Sequence, residues 1–316
     1  MNNTLKKSLK IILPLGFGGF LVWYSLSSIS IGILVSYFQE ANYWWIALGL
    51  FFGILSHLSR AYRWKFMLEP IGYKPKFTNS VLAVLVGYLV NLAIPRAGEV
   101  SRAAVLTNYE DVPFEKGFGT IVAERIADLI MMLCIIIITL FVQFDFIYEL
   151  LTKNFDPIKI SIILVGFIIG VYIFTQYIKK AKKGIALKIK TFASGLLEGV
   201  TSIFKMKNKW AFIFHTVFIW TMYVAMFWST TPAIEGLQVP IGGILIGFIA
   251  GGFSIAATNG GIGLYPIAVA GALALFGIPE ETATAFGWIM WTAQTAMIII
   301  FGGLSFLILP IYNKNK

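Results

Sequence analysis

Long apolar stretches recur along the chain, at about 9–27, 43–59, 78–94, 118–144, 158–178, 209–230, 240–257 and 283–310. Each approaches the roughly 20 residues that a helix needs to cross the hydrocarbon of a bilayer. Two shorter apolar pieces, near 99–107 and 265–277, follow breaks in the pattern. Segment 185–204 has another rhythm. Ile185, Ile189, Phe192, Leu196, Val200 and Ile203 recur at helical spacing, with Lys188 and Lys190 between them. That spacing predicts an amphipathic helix lying on a membrane surface. The pattern as a whole predicts an all-α polytopic membrane protein. Composition agrees: 58% of residues are hydrophobic and 13% charged, against about 45–50% and about 25% in soluble domains.

The pattern also repeats. Runs starting near 43, 78 and 118 are matched by runs near 209, 240 and 283, at an offset of roughly 165 residues. Run 9–27 matches 158–178, and PRAGE at 95–99 falls opposite NGGIG at 259–263. The chain therefore reads as one membrane domain made of two repeats, 1–150 and 151–316. Internal repeats of this type are a transporter feature. Because the first run has a later partner, Lys6, Lys7 and Lys10 ahead of it read as a cytoplasmic flank rather than the start of a cleaved leader.

Charge discriminates between topologies. If all eight long runs cross, Lys179, Lys180, Lys182, Lys183, Lys188 and Lys190 lie on the opposite side from the N-terminus. That contradicts the cytoplasmic bias of Lys and Arg. If 78–107 and 240–277 are instead re-entrant hairpins, about six spans remain and these lysines fall inside. Of the 25 Lys and Arg, only Lys153 and Lys159 are then outside, and only Arg96, Arg102 and Arg125 are within the membrane. Both termini become cytoplasmic, which fits the cytoplasmic membrane as the location. Each repeat has an odd number of spans, so the two are inverted. Short half-helices that together cross would rescue the first topology. In the inverted arrangement, the hairpins enter from opposite faces and their tips approach each other.

The tips carry the candidate chemistry. Unpaired backbone is not tolerated in lipid, so a break belongs in protein or a wet cavity. At the first tip Pro95 ends a helix, Gly98 is expected to let the chain turn, and Arg96 stands beside them. Glu99 and Arg102 share a face of the restarting helix. The next run carries Glu124, Arg125 and Asp128. Each unpaired charge at the bilayer centre costs at least about 2.5–3.5 kcal/mol, so the three arginines and the acids Glu99, Glu124 and Asp128 are expected to form a neutral network. Two roles fit it. The acids and arginines lock hairpin to helix, or Arg96, Arg102 and Arg125 bind an anionic group, such as a phosphate, that suits the guanidinium fork. The second tip is uncharged. Asn259 and Tyr265 can hydrogen-bond to a substrate, and Gly260, Gly261, Gly263 and Pro266 shape the turn. Arg60 and Arg63 share a helical face and are expected to anchor the chain or contact headgroups at the cytoplasmic surface. His57 reads as a packed histidine rather than a proton relay.

NLAIPRAGEVSRAAVL followed by ERIADL resembles the flippase-like transmembrane domain of the lysylphosphatidylglycerol synthase family. The matching positions are Pro95, Arg96, Gly98, Glu99 and Arg102, then Glu124, Arg125 and Asp128, then Gly260, Gly261, Gly263 and Pro266. The resemblance implies movement between leaflets of a lipid with an anionic, aminoacylated or glycosylated headgroup. Leu264 and Tyr265 stand where the family's last motif carries an acid. The chain ends at IYNKNK, so a soluble aminoacyl-transferase domain, and lipid synthesis with it, is not expected.

Membrane lipids are the expected partners, and nucleic acid is not. No cofactor, metal or enzyme activity is expected, since His57 and His215 alone make no metal site and neither G-x-S-x-G nor H-E-x-x-H occurs. The competing expectation is a secondary transporter of a small anionic solute, proton-coupled through one of the acids.

Overall fold

The computed structural model describes residues 16, 18–94, 96–154, 157–180, 183–187, 190–191 and 206–314. Pro95, Lys188 and most of the expected surface helix at 185–204 lie outside the described residues. Among those described there is no strand. The helices are α1 (Gly18–Ser27) and α2 (Ile31–Glu40), α3 (Tyr43–Leu68), α4 (Phe77–Ala93), α5 (Ala97–Glu110), α6 (Phe114–Val142), α7 (Phe144–Asn154), α8 (Pro157–Lys180), α9 (Lys209–Thr230), α10 (Ile241–Ala257), α11 (Leu264–Ala274) and α12 (Glu280–Tyr312). Helices α6, α9 with its following turn, and α12 are long and apolar enough to cross a membrane. The first apolar run does not continue as one straight rod: α1 and α2 meet at 85°. Ser30, in extended conformation, caps α2 by accepting from the Ile33 amide, which restarts the helix there.

The chain forms two compact units, Met1–Glu124 with Trp210–Lys316, and Arg125–Lys209. The smaller contains the rest of α6, with α7 packed against α8.

In the larger unit, α3 and α9 run antiparallel. Gly49 lies against Met226 and Thr230, and Gly53 against Met226. Further along, Ser59 bonds His215 at 2.8 Å and Arg63 bonds Thr216 at 2.9 Å. Helices α4 and α5 fold back on each other. Asn79, at the start of α4, donates to Glu110, at the end of α5. Near the tip the Gly98 amide donates to Asn91 Oδ1 at 2.7 Å. Both ends of this hairpin therefore lie at the same level. Helix α4 has 17 residues, about 25 Å at 1.5 Å per residue, short of the roughly 30 Å hydrocarbon. Helices α10 and α11 form a second hairpin. Gly243, Gly247 and Gly251, spaced by four on α10, admit Phe276, Leu273 and Tyr265. A Cβ at these positions would overlap Val239, Phe227 and Tyr265 respectively, so small residues set the close approach.

Helix α12 ties the hairpins together. Its Gly287 packs on Pro266 of the second hairpin, and its Gly302 on Leu85 and Leu89 of the first. Asn313, just beyond it, exchanges two 2.9 Å hydrogen bonds with Asn79 at the base of the first hairpin. The bases thus sit toward opposite ends of α12, and the tips meet between them. Gly260 lies against Leu92, and Trp291 of α12 donates to the Gly260 carbonyl at 2.8 Å.

Candidate functional site

Three guanidinium groups converge on one carboxylate. Arg60 and Arg63 lie on one face of α3, Arg102 on α5 and Glu124 on α6. Arg60 meets Glu124 Oε1 at 2.5 Å, and Arg63 meets the same oxygen at 3.4 Å. Arg102 forms a fork, Nη1 to Oε1 at 3.2 Å and Nη2 to Oε2 at 3.1 Å. All four side chains are 0–3% exposed. Spacing explains the arginines of α3: positions 60 and 63 share a helical face, and that face carries Trp64 beside them. The Arg102 guanidinium lies 4.4 Å over the Trp64 ring, whose indole N–H is held by Thr120 at 2.8 Å. Arg63 lies 5.3 Å from the Phe212 ring centre. Planar, weakly hydrated guanidinium tolerates such stacking better than ammonium does. The Arg102 Nε is buried without a hydrogen-bond partner. Glu124 offers two oxygens to groups that each carry five N–H donors, so this foursome is rich in donors and in positive charge.

Arg60 and Arg63 are not surface residues, contrary to expectation. Periodicity placed them on one face; it did not say that the face meets α6 rather than the headgroup region. The missing signal was Glu124. An intramembrane acid needs cations, and those within reach come from α3 and α5.

The first tip also differs from expectation. Gly98 does not make the turn. It lies inside α5, where a Cβ would overlap the Gly87 carbonyl and the Asn91 amide. Its job is close packing of the hairpin. Arg96 makes the turn, at φ 61° and ψ 7°, a left-handed conformation that costs a non-glycine residue about 1–2 kcal/mol. The Arg96 side chain is exposed. Glu99 is half-buried and within 3.5 Å of Asn91 Nδ2. Within the smaller unit, Arg125 pairs with Asp128 at 3.5 Å and is 41% exposed.

At the second tip, Gly260, Gly261 and Gly263 all have positive φ, so glycine is needed for the backbone itself. Asn259 is half-buried and opens the turn. Tyr265 is buried between Gly251 and Gly261. Pro266 packs on Gly287. His57 is buried with its ring 4.4 Å from that of Tyr88. Among the described residues, no group of three or more His, Cys, Asp or Glu is placed to hold a metal.

The family described as lysylphosphatidylglycerol synthase TM region matches residues 11–302. The chain belongs to this family. It is an integral membrane protein, as its apolar helices require. It is also similar to a protein of Methanocaldococcus jannaschii described as UPF0104 membrane protein MJ1595, with 30% identity over 106 residues. That match spans 33% of this chain and 32% of the relative. No solved structure matches.

Proposed function

We propose that the protein moves a lipid with an anionic, aminoacylated or glycosylated headgroup between the leaflets of the cytoplasmic membrane, without catalysing a chemical step on it. One observation carries this reading: three buried arginines gathered on one glutamate in a membrane domain of this family. Burying guanidinium groups is expensive, and a fixed fork suits phosphate. Arg102, Arg60 and Arg63 hold the headgroup. Glu124 orients them while the site is empty. Arg96, exposed at the tip, meets the headgroup on its way.

Two inverted repeats underlie the movement. The order α3–α4–α5–α6 recurs as α9–α10–α11–α12, with each start roughly 165 residues later. The antiparallel α3–α9 pair and the opposed hairpins support an inverted relation; about six crossings, re-entrant hairpins and both termini cytoplasmic belong to this reading. The arginines are sealed in this conformation, so the headgroup reaches them in another, in which the two halves rock about the tips. The first hairpin moves as one body because Gly87, Gly98 and Asn91 lock its two helices.

The test is transfer of a fluorescent phosphatidylglycerol across vesicles containing the purified protein. Unsubstituted protein should speed transfer, and Arg102→Ala and Arg102→Lys should both lose it, since Lys cannot form the fork. Unchanged transfer in both variants would sink the proposal. Uptake of a water-soluble organic phosphate instead of lipid would favour a solute transporter.

A further inference from the structure

Away from the arginines, the crossing of α3 and α9 gathers a second polar cluster among apolar side chains. His57 lies on α3, Tyr88 on α4, and Trp220 and Tyr223 on α9. The His57 ring is 4.4 Å from that of Tyr88 and 6.2 Å from that of Tyr223. The tyrosine hydroxyls are 3.1 Å apart, and Trp220 meets Tyr223 edge-on at 6.1 Å. His57 is 6% exposed and Trp220 9%, yet His57 Nδ1 and Trp220 Nε1 are both buried without a hydrogen-bond partner. Two such groups in one cluster are unusual, because buried polar atoms are nearly always satisfied. An orphaned indole N–H can only donate, so what completes it is an acceptor.

The position of this cluster along α3 says which acceptor. On α3, His57 neighbours Ile54 on one side and Arg60 on the other, each three positions away, at about 4.5 Å of rise and roughly 60° of turn per step. Ile54 and His57 line an apolar cavity with Leu58, Leu85, Met297 and Phe301. Arg60 belongs to the charged cluster. Along this oblique path on α3 the side chains therefore pass from apolar, through uncharged and hydrogen-bonding, to cationic. A diacyl phospholipid has the same order: chain, ester linkage, phosphate.

We propose that His57 and Trp220, flanked by Tyr88 and Tyr223, form a subsite for the ester carbonyls of a glycerophospholipid whose phosphate occupies the arginine cluster. The subsite rests on the reading of that cluster as a headgroup site, and it makes the substrate a diacyl lipid rather than a free phosphate.

The experiment compares binding of dioleoyl phosphatidylglycerol with its dialkyl ether analogue, which lacks the carbonyls, and with glycerol 3-phosphate. Purified protein in detergent is measured by native mass spectrometry. The diester should bind about fivefold more tightly than the diether, the effect of one hydrogen bond of ordinary strength. His57→Phe and Trp220→Phe should each reduce that preference and leave diether binding unchanged. Arg102→Ala should weaken both lipids alike. Equal binding of diester and diether to the unsubstituted protein, with Arg102 still required, would overturn the subsite alone: water or packing would then fill it. Glycerol 3-phosphate binding as tightly as the lipids would overturn it too. Loss of Arg102 dependence would overturn the headgroup reading and the subsite with it. The diester–diether comparison uses unsubstituted protein, so it stands even if a variant fails to fold.

Discussion

The two hairpins are built alike and used differently. Each has a 17-residue first helix, a break and a shorter return helix. Each packs on α12. In the first, the return helix carries Arg102 into a buried ionic cluster, and an arginine is held left-handed at the tip. In the second, a glycine stripe on α10 admits aromatic and aliphatic side chains, and the tip is three left-handed glycines. The contrast is sharpest in the cores. Roughly 165 residues beyond Arg60, Arg102 and Glu124 stand Met226, Val269 and Met290, all in the hydrophobic core. One scaffold holds its shape with either filling. The shape therefore does not depend on which filling it has.

The largest test of this contrast removes one side of the ionic cluster. Glu124→Gln leaves buried guanidiniums without their carboxylate and should cost about 3–5 kcal/mol, read as a large drop in the unfolding temperature in detergent. The corresponding Met290→Leu should cost under about 1.5 kcal/mol. Equal losses would mean that the two cores are energetically alike. Replacing the whole cluster is the complementary test. Arg60→Met, Arg63→Leu, Arg102→Leu and Glu124→Met together should restore an unfolding temperature near that of the unsubstituted protein, since apolar replacements of buried ion networks are often neutral or stabilising. That variant should bind no phosphatidylglycerol; retained binding would detach the cluster from function.

A smaller effect distinguishes the return helices. Gly98→Ala forces a Cβ into the Gly87 carbonyl and should cost about 1–3 kcal/mol. Gly271→Ala on α11 meets nothing within 4 Å and should be neutral or stabilise by under about 1 kcal/mol. Smallest of all, Arg96→Gly removes the left-handed strain at the tip and should raise stability by about 1 kcal/mol while slowing lipid transfer. A fall in stability would mean that the Arg96 side chain holds the tip in place.

Much of the architecture was legible from pattern alone. Apolar runs at spanning length, the charge bias and the recurrence of PRAGE opposite NGGIG pointed to helices, hairpins and adjoining tips, because lipid forces every backbone group into a helix or a protected break. The bend between α1 and α2 was not legible. The polar stretch SLSSIS marks it, but a serine cluster specifies a cap only once the chain leaves the helix there. The site was half legible. Arg102 and Glu124 stood out as charges inside apolar runs. Arg60 and Arg63 looked like anchors, because a basic pair at the end of a span usually is one.

The sequence by itself determined what each segment is: its length, its amphipathicity, where the two hairpins break, and that ionisable groups must be paired inside the membrane. These follow from local chemistry and the bilayer's demand for satisfied backbone. Only the tertiary structure decided which charges meet. Glu124 had arginines on three helices to choose from, and chain spacing does not encode the rotation of one helix against another. Packing also gave the turn to Arg96 and the close approach to Gly98, because backbone room at a helix crossing is a property of two helices together.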